Sequence, residues 1–253
     1  MTPRIVVINL GSANTRRQQM SEELGRFGME FEFFPAVDGR LLDSETLARH
    51  YDALRAATTP WGHLTVGEVG CALSHRAVWQ LLVDSGEPGW IVFEDDSQIS
   101  ADFPEVAAAL PGTVRPGEVA AFVQTNANTY YWHSRSLANR KLVYVNQAFY
   151  CATGYYITEK AARKLLAASN PIWFPIDCWY TSPGFRGITP ILAVWPPIVS
   201  SREENQAPSQ IGFRNAHSGK LEKKQGSHSL IRKWISRGRR YIKNRFLNHP
   251  VLR

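Results

Sequence analysis

Three consecutive carboxylates, Glu94, Asp95 and Asp96, directly follow the short apolar run of residues 90–93. Such a run predicts a buried strand, and ligands bind at the carboxyl ends of strands in open α/β sheets. Adjacent carboxylates repel one another unless a cation neutralises them, and oxygen ligands suit Mg²⁺ or Mn²⁺. The cluster therefore indicates a divalent ion that bridges a diphosphate. The alternative is that Asp96 or Ser97 caps the next helix while the other carboxylates face water.

Several motifs that would indicate other chemistry are missing from the sequence. It contains no GxGxxG after the first strand, no GxxxxGK[ST], no HExxH and no GxSxG. Dinucleotide-dependent oxidoreductases, P-loop NTPases, zinc proteases and α/β-hydrolases therefore lose support. A nucleotide diphosphate held by a metal ion, without a glycine-rich loop, remains.

The elements that must position these carboxylates follow an α/β pattern. A buried strand at residues 5–10, a helix at 14–28 and a strand at 31–34 predict a βαβ unit of a parallel sheet. The later elements are expected to be helices at 43–57, from Gly67 through Leu82, at 102–110 and after Thr158; strands at 90–93, 119–123 and 188–194; extended chain at 144–157; and a loop or short strand at 175–180. The pattern predicts a mostly parallel sheet flanked by helices.

Composition excludes several protein classes. No run of about 18 apolar residues occurs, so no transmembrane helix is predicted. The opening residues MTPRIVVINLGS are a poor match to a secretory signal, and a cytosolic protein is expected. Cys71, Cys151 and Cys178 are widely spaced and form no CxxC pair. They predict packed thiols in a reducing compartment rather than a disulfide framework or a structural zinc site.

The net charge of +7 divides the chain into two parts. Residues 220–253 hold eleven basic residues and one acidic residue, whereas residues 1–219 carry a net charge of −3. On a helical wheel the tail separates an apolar half from a basic half. The apolar half holds Leu230, Ile231, Trp234, Ile235, Tyr241, Ile242 and Phe246, joined by Arg245, and the basic half holds Arg232, Lys233, Arg237, Arg239, Arg240 and Lys243.

A basic amphipathic helix that carries Trp and Phe suits the surface of an anionic membrane. The alternative is a helix docked on the body with its basic face in water. Nucleic acid is a weaker candidate partner, because no recognised nucleic-acid module precedes the tail. The expected organisation is a body of residues 1–219 followed by a tail of residues 220–253.

Six sequence blocks run in a fixed order between residue 5 and about residue 180. They are VVINL at 6–10 with Arg16 and Arg17, FFPAVDG at 33–39, GEVGCALSH at 67–75 followed by Trp79, FEDD at 93–96, GYYIT at 154–158 with AARKLL at 161–166, and PID at 175–177. Each block is weak alone, but the ordered set resembles glycosyltransferase family 25.

The resemblance implies a GT-A-like, Rossmann-related fold and an inverting, metal-dependent transferase. The family includes bacterial lipooligosaccharide galactosyltransferases and collagen galactosyltransferases, and a small chain with a basic tail is similar to the bacterial branch. It implies transfer of a hexose, galactose from UDP-galactose, to a lipooligosaccharide or related surface glycan. The enzyme would use Mn²⁺ or Mg²⁺. The basic tail adds the expectation that this cytosolic protein lies on the inner face of the cytoplasmic membrane.

The resemblance also implies site residues. Glu94 and Asp96 would bind the metal ion and Asp95 would point to the donor ribose or sugar, although the sequence leaves open which two carboxylates touch the ion. Some relatives carry a late His where this chain has Trp195-Pro196-Pro197-Ile198, so the ion would rely on the acidic cluster and phosphate. The implied donor-binding residues are Asn9, Leu10, Arg16, Ala36, Asp38, Gly39, Ser74, His75 and Asp95.

Two of these donor residues have plainer alternatives. Asp38, assigned to the uridine end of the donor, would in the alternative only form an Asp-Gly turn with Gly39. His75 would in the alternative be a core residue that braces the site, with Glu68 seven residues earlier on the same helix.

Asp177 is the predicted catalytic base, because inverting transfer needs a carboxylate that takes the proton of the acceptor hydroxyl. Its aromatic neighbours in sequence would raise its pKa and stack on sugar rings. The alternative is a loop Asp that pairs with Arg186 or caps backbone. Acceptor binding is assigned to Tyr130, Trp132, Trp179 and Tyr180, whose rings would equally suit a core. Competing with catalysis are a degenerate nucleotide-sugar-binding or membrane scaffold protein and a basic nucleic-acid-binding protein.

Overall fold

The computed structural model describes residues 2–123, 129–145, 152–181 and 188–202, with the backbone alone at 129–133, 180 and 181. The strands in these ranges are β1 Arg4–Asn9, β2 Glu32–Pro35, β3 Gly89–Glu94, β4 Ser97–Ile99, β5 Val119–Ala121, β6 Thr129–Leu137, β7 Arg140–Val145, β8 Gly154–Thr158, β9 Ile191–Trp195 and β10 Val199–Ser201. The helices are α1 Asn14–Gly25, α2 Ser44–His50, α3 Ala53–Ala57, α4 Val66–Ser85, α5 Phe103–Thr113, α6 Glu159–Ala168 and α7 Ile176–Thr181, with a 3₁₀ turn at Gly39–Leu41.

Eight of these strands form one sheet in the order β2-β1-β3-β8-β5-β9-β7-β6. β1 pairs in parallel with β2 and β3, and β5 with β9, whereas β8 is antiparallel to β3 and β5, and β7 to β9 and β6. Six strands thus share one direction and β7 and β8 oppose it, which confirms the predicted mostly parallel α/β sheet. β4 and β10 form a separate antiparallel pair.

Both faces of the sheet are buried, as the β1 sequence illustrates. Val6 and Ile8 pack into the core beneath α4 and α6, whereas Ile5 and Val7 pack into the opposite core beneath α1 and α5. Because side chains alternate across a strand, a strand covered on both faces is apolar at every position. This two-sided burial explains the continuous apolar runs at residues 5–8 and 90–93.

The predicted single helix at 43–57 is wrong, because the chain forms two helices there. Asp43 and Asp52 each act as an N-cap, accepting hydrogen bonds from the backbone N–H groups of Thr46 and Arg55. Between the helices, Tyr51 takes extended dihedral angles and forms a parallel bridge with Ile172. Pairing with a segment more than a hundred residues away therefore overrides local helix propensity.

Other boundaries also differ from the predictions. Residues 176–181 form α7 rather than a loop or short strand. Ser97 begins β4, and α5 starts only at Phe103, so neither Asp96 nor Ser97 caps that helix. Thr158 does occupy the N-cap position of α6, but its hydroxyl donates to the Glu118 carbonyl instead.

Of the predicted extended stretch at 144–157, residues 146–151 lie outside the described residues, as does the predicted tail at 220–253. The helices that the structure does describe include none with both the length and the hydropathy needed to cross a bilayer.

Candidate functional site

An open cleft of about 720 Å³ lies at the carboxyl ends of β1 and β3. The cleft collects every sequence-predicted donor and metal residue except Asn9. Those lining residues are Leu10, Arg16, Ala36, Asp38, Gly39, Ser74, His75, Glu94, Asp95 and Asp96. The parallel pairing of β1 with β2 and β3 brings them together, because it places three strand ends at one edge of the sheet.

Asp95 is held by the turn that follows β1. Its Oδ2 accepts a hydrogen bond of 2.8 Å from Asn9 Nδ2, and its Oδ1 accepts one of 3.1 Å from Arg16 Nη1. Burial raises the pKa of Asp95, and the hydrogen bonds from Asn9 and Arg16 act in the opposite direction. In this structure Asp95 ties β1 and α1 to the end of β3. Contact between Asp95 and a donor ribose stays a prediction.

The loop after β2 is fixed on α4 by Ser74. The hydroxyl of Ser74 accepts a hydrogen bond from the backbone N–H of Val37 and donates one to the carbonyl of Gly70, each 2.8 Å long. Ser74 has no exposed surface, so it shapes the cleft from below. Asp38 accepts hydrogen bonds from the backbone and guanidinium of Arg40, which lower its pKa, and it lines the cleft at the same time.

Two glycines permit this close contact between the loop and the helix. A Cβ on Gly39 would lie 1.8 Å from the carbonyl oxygen of Val66, and one on Gly70 would lie 2.6 Å from the backbone nitrogen of Gly39. Backbone atoms on both sides leave no flexible side chain to move aside. The floor of the cleft therefore depends on the absence of side chains at these two positions.

Gly70→Ala is expected to lower the free energy of unfolding by about 1–3 kcal/mol, the usual cost of overpacking. Gly112→Ala is the matched control: Gly112 also lies in a helix, but nothing lies within 4 Å of the position that a methyl group would take there. That change should be neutral or stabilise by up to about 1 kcal/mol. Chemical denaturation measures the free energy of unfolding of both variants. Equal values for the two would show that the loop after β2 can move to accommodate the added methyl group.

A buried chain of hydrogen bonds leads from the core to Glu94. Trp79 Nε1 donates to the Tyr155 hydroxyl over 2.8 Å, this hydroxyl lies 2.8 Å from His75 Nδ1, and His75 Nε2 lies 3.1 Å from Glu94 Oε1. An ionised carboxylate only accepts hydrogen bonds, so Nε2 carries a proton. In a neutral His75 ring, Nδ1 then accepts from Tyr155. The chain thus orients the Glu94 carboxylate.

His75 therefore occupies the bracing position of the alternative interpretation, although its partners are Glu94 and Tyr155. Glu68 instead closes a capping box with Thr65 at the start of α4. Sequence reasoning missed Tyr155, which is 80 positions from His75 and fully buried. The only sequence signal is a polar hydroxyl within the apolar strand β8.

The two predicted metal ligands lie on the same cleft. Glu94 ends β3, and Asp96 accepts a hydrogen bond of 3.0 Å from the hydroxyl of Ser201 on β10. Their carboxylates place hard oxygen donors beside an open volume, which is the donor chemistry that Mg²⁺ and Mn²⁺ prefer. The residues present thus fit a hard divalent ion.

Asp177 lies on α7, near the acidic cluster that follows β3. The helix α7 packs against α4. Burial raises the pKa of this carboxyl to about 6, and repulsion from Glu94 and Glu68 adds to the effect, whereas hydrogen bonds from Cys178 oppose it. Asp177 is not among the residues that line the cleft at the ends of β1 and β3. The alternative partner, Arg186, lies outside the described residues.

Of the predicted acceptor residues, Trp179 belongs to the core. Trp179 is 2% exposed and packs edge to face against Trp173, with 5.3 Å between ring centroids. Its burial leaves no ring face for a sugar in this structure, so the alternative interpretation holds for it. The side chains of Tyr130, Trp132 and Tyr180 lie outside the described part of the chain.

Comparison with known proteins places these features in a family. The profile described as glycosyltransferase family 25 (LPS biosynthesis protein) matches residues 2–180. The lacto-N-neotetraose biosynthesis glycosyltransferase LgtB of Neisseria gonorrhoeae is 28% identical over 267 residues, which cover 94% of this chain and 93% of that relative.

Other relatives match only in part. A glycosyltransferase 25 family member of Drosophila melanogaster is 30% identical over 65% of this chain, and the match spans only 28% of that relative's length. A Mus musculus protein named inactive glycosyltransferase 25 family member 3 is 39% identical over 39% of this chain and 17% of its own length. The matched profile covers most of the sequence, from β1 to α7 and including the whole acidic cluster. The chain belongs to glycosyltransferase family 25.

Proposed function

We propose that this protein is an inverting, metal-dependent glycosyltransferase that moves galactose from UDP-galactose to a lipooligosaccharide or related bacterial surface glycan. Family membership supports the general class. The observation that carries the proposal is the cleft at the ends of β1 and β3, where Glu94 and Asp96 present carboxylates and Asp177 lies near them on α7.

The residues divide the work of donor binding. Glu94 and Asp96 would hold Mn²⁺ or Mg²⁺, and such an ion, when bound, offsets the charge that develops on a departing diphosphate. Arg16 lines the same cleft and adds a positive charge beside Asp95. Leu10, Ala36 and the loop of Asp38 form the wall assigned to the nucleoside end.

Asp177 would act on the acceptor. The acceptor hydroxyl oxygen forms a bond to the anomeric carbon from the face opposite the diphosphate, and the bond between that carbon and the diphosphate oxygen breaks. The hydroxyl proton passes to the Asp177 carboxylate. A pKa near 6 leaves the carboxyl ionised at neutral pH, while making it a stronger base than a solvated Asp.

Release of UDP from a panel of UDP-sugars, with Mn²⁺ or with EDTA, tests the proposal. We expect turnover of UDP-galactose when a bacterial glycolipid acceptor is present, and loss of that turnover in EDTA. If a different UDP-sugar were turned over instead, that sugar would be assigned as the donor in place of galactose. Turnover of none, with glycolipid acceptors present, would favour the degenerate nucleotide-sugar-binding alternative, and one relative is indeed named inactive.

The basic tail at 220–253 supports a further part of the proposal, that the enzyme works as a peripheral protein on the inner face of the cytoplasmic membrane. No nucleic-acid binding is expected, because no recognised nucleic-acid module precedes the tail. The support is the charge of the tail and its apolar half with Trp234 and Phe246. A lipid-linked acceptor would be held at that surface, so tail binding would raise the local concentration of acceptor.

Vesicle sedimentation of the full chain tests the tail. Neutralising the six cations of its basic half to Gln is expected to weaken binding to anionic vesicles by more than about 10³-fold, because each cation contributes about 1 kcal/mol near such a surface. The unchanged chain should bind anionic vesicles less at high salt and should bind zwitterionic vesicles weakly. Equal binding by both chains would favour a tail docked on the body.

A further inference from the structure

Cys71, His75 and Glu94 bring three different metal-ligating atoms together on one wall of the cleft. Cys71 Sγ lies 3.6 Å from Glu94 Oε1, and His75 Nε2 lies 3.1 Å from the same oxygen. All three ligand atoms lie within 4.8 Å of one another. Two of the residues are four positions apart on α4, which places them on one face of the helix, and the third ends the neighbouring strand β3.

Two of these three separations are close to the edges of a tetrahedral zinc site. With zinc–sulfur, zinc–nitrogen and zinc–oxygen distances of about 2.3, 2.05 and 2.1 Å, tetrahedral angles separate sulfur from oxygen by about 3.6 Å and nitrogen from oxygen by about 3.4 Å. The measured separations are 3.6 and 3.1 Å. The third separation, between Cys71 Sγ and His75 Nε2, is at most 4.8 Å. It would have to become about 3.5 Å around a bound ion.

We propose that Cys71, His75 and Glu94 form a binding site for a thiolate-binding divalent cation such as Zn²⁺, with the fourth coordination position open to the cleft. This donor set is distinct from the carboxylate pair of Glu94 and Asp96, because thiolate and imidazole ligands favour Zn²⁺ over Mg²⁺ or Mn²⁺. The CxxC criterion used on the sequence does not detect it, since its third ligand comes from a different element.

Binding changes the protonation of two ligands. The Cys71 thiol loses its proton to solvent as the sulfur binds the ion, and the His75 proton moves from Nε2 to Nδ1 so that Nε2 can coordinate. The Tyr155 hydroxyl, 2.8 Å from Nδ1, then rotates its own proton away from the ring, and its oxygen accepts the Nδ1 proton in a hydrogen bond. Such an outer partner fixes the ring orientation in most metal-bound histidines.

The main free-energy cost of binding the ion is removal of the proton from the Cys71 thiol. Burial raises the pKa of Cys71 well above its ordinary value, and the neighbouring Glu94 adds to the effect. The thiol is therefore protonated before the ion arrives. Binding should release a proton and become tighter as the pH rises.

Zn²⁺ at this site would withdraw Glu94 from the carboxylate pair that we assign to the hard ion. Zn²⁺ would then inhibit sugar transfer, and this consequence rests on the proposed function. Binding itself does not depend on the proposed function. A chain without transferase activity would still show it.

The test uses the full, metal-stripped chain. Zn²⁺ is titrated in competition with a chromophoric chelator, and Cd²⁺ or Co²⁺ is used separately to reveal a thiolate-to-metal absorption band. We expect one ion per chain at the site and a thiolate band. Cys71→Ser should lose the band and weaken Zn²⁺ binding by more than about 100-fold, since loss of an outer partner alone typically costs 10–100-fold.

Cys178→Ser is the matched thiol control and should keep both the band and the affinity. Circular dichroism melts of each variant show whether it folds, and Glu94→Gln, which keeps the thiol, provides a second change at the site. Wild-type affinity in Cys71→Ser, or a band that disappears only in Cys178→Ser, would overturn the proposal. Weak Zn²⁺ binding without any thiolate band in the unchanged chain would also overturn it.

Discussion

Asp177→Asn is expected to reduce sugar transfer by about 10²–10⁴-fold, the usual contribution of a positioned general base. Donor binding should stay within a few-fold of the unchanged chain, because Asp177 is not among the residues that line the donor cleft. Single-turnover kinetics measures transfer, and calorimetric titration with UDP measures donor binding in the presence of Mn²⁺.

Asp84→Asn is a suitable control for this substitution. Asp84 is exposed near the end of α4, where it accepts a hydrogen bond from Gln80 one turn earlier on the helix. Its change should leave both transfer and binding unaltered. Near-normal transfer in Asp177→Asn, or a large loss of donor binding, would refute the assignment of Asp177 as the base.

The same variant should be more stable than the unchanged chain at neutral pH. Because the folded-state pKa of Asp177 is raised from 3.8 to about 6, its favourable contribution is complete below pH 3.8 and is lost as the pH rises through 6. Asn removes the cost of the buried charge, which is on the order of 3 kcal/mol above pH 6. The stability difference should vanish near pH 4. If Asp177 served mainly in an ion pair, Asp177→Asn would instead be less stable than the unchanged chain at neutral pH.

Catalysis has the matching pH dependence. A base must be ionised, so kcat/KM should rise with pH through a midpoint near 6. Stopped assays in mixed buffers from acidic to mildly basic pH measure the profile, with thermal melts to exclude unfolding at the acidic end. If kcat/KM did not change across this pH range, ionisation of Asp177 would not control the chemical step.

The architecture and the cleft were predictable from the sequence because they depend on local patterns. Strands covered on both faces give continuous apolar runs, and polar residues that follow such runs, as Asn9 and Glu94 do, must meet at one sheet edge when the strands are parallel. The loop of Asp38 lies at the same edge, because it follows β2 and β2 is parallel to β1. These patterns bring Glu94 and the Asp38 loop to one cleft, together with most of the residues assigned to the donor.

The remaining features depend on contacts between distant segments. The break between α2 and α3 results from pairing of Tyr51 with Ile172, and the orientation of Glu94 results from His75 and Tyr155 on different elements. No local period encodes such contacts. Trp179 shows the same limitation, since its aromatic ring suits a sugar or a core equally well until its packing against Trp173 is known.

Substitutions in the acidic cluster should separate two roles, metal binding and stabilisation of the fold, among three adjacent carboxylates. Glu94→Gln and Asp96→Asn are each expected to weaken Mn²⁺ binding and to reduce transfer by about 10²–10³-fold, since a bound metal supplies several kcal/mol of transition-state stabilisation. Asp95→Asn should instead keep Mn²⁺ binding. It should lower the free energy of unfolding by about 1–3 kcal/mol, because the new amide leaves one of the donors from Asn9 and Arg16 poorly matched.

Electron paramagnetic resonance of free and bound Mn²⁺, combined with denaturant unfolding, measures both effects in the same samples. The contrast is informative because all three residues are acidic and adjacent, whereas only Asp95 has both carboxylate oxygens engaged by Asn9 and Arg16. Glu94 instead ends β3 and is hydrogen-bonded to the buried His75, and Asp96 accepts a hydrogen bond from Ser201. If Asp95→Asn lost the ion while Glu94→Gln kept it, the metal would have to be placed at Asp95, and the hydrogen bonds from Asn9 and Arg16 would then orient a metal ligand rather than stabilise the fold.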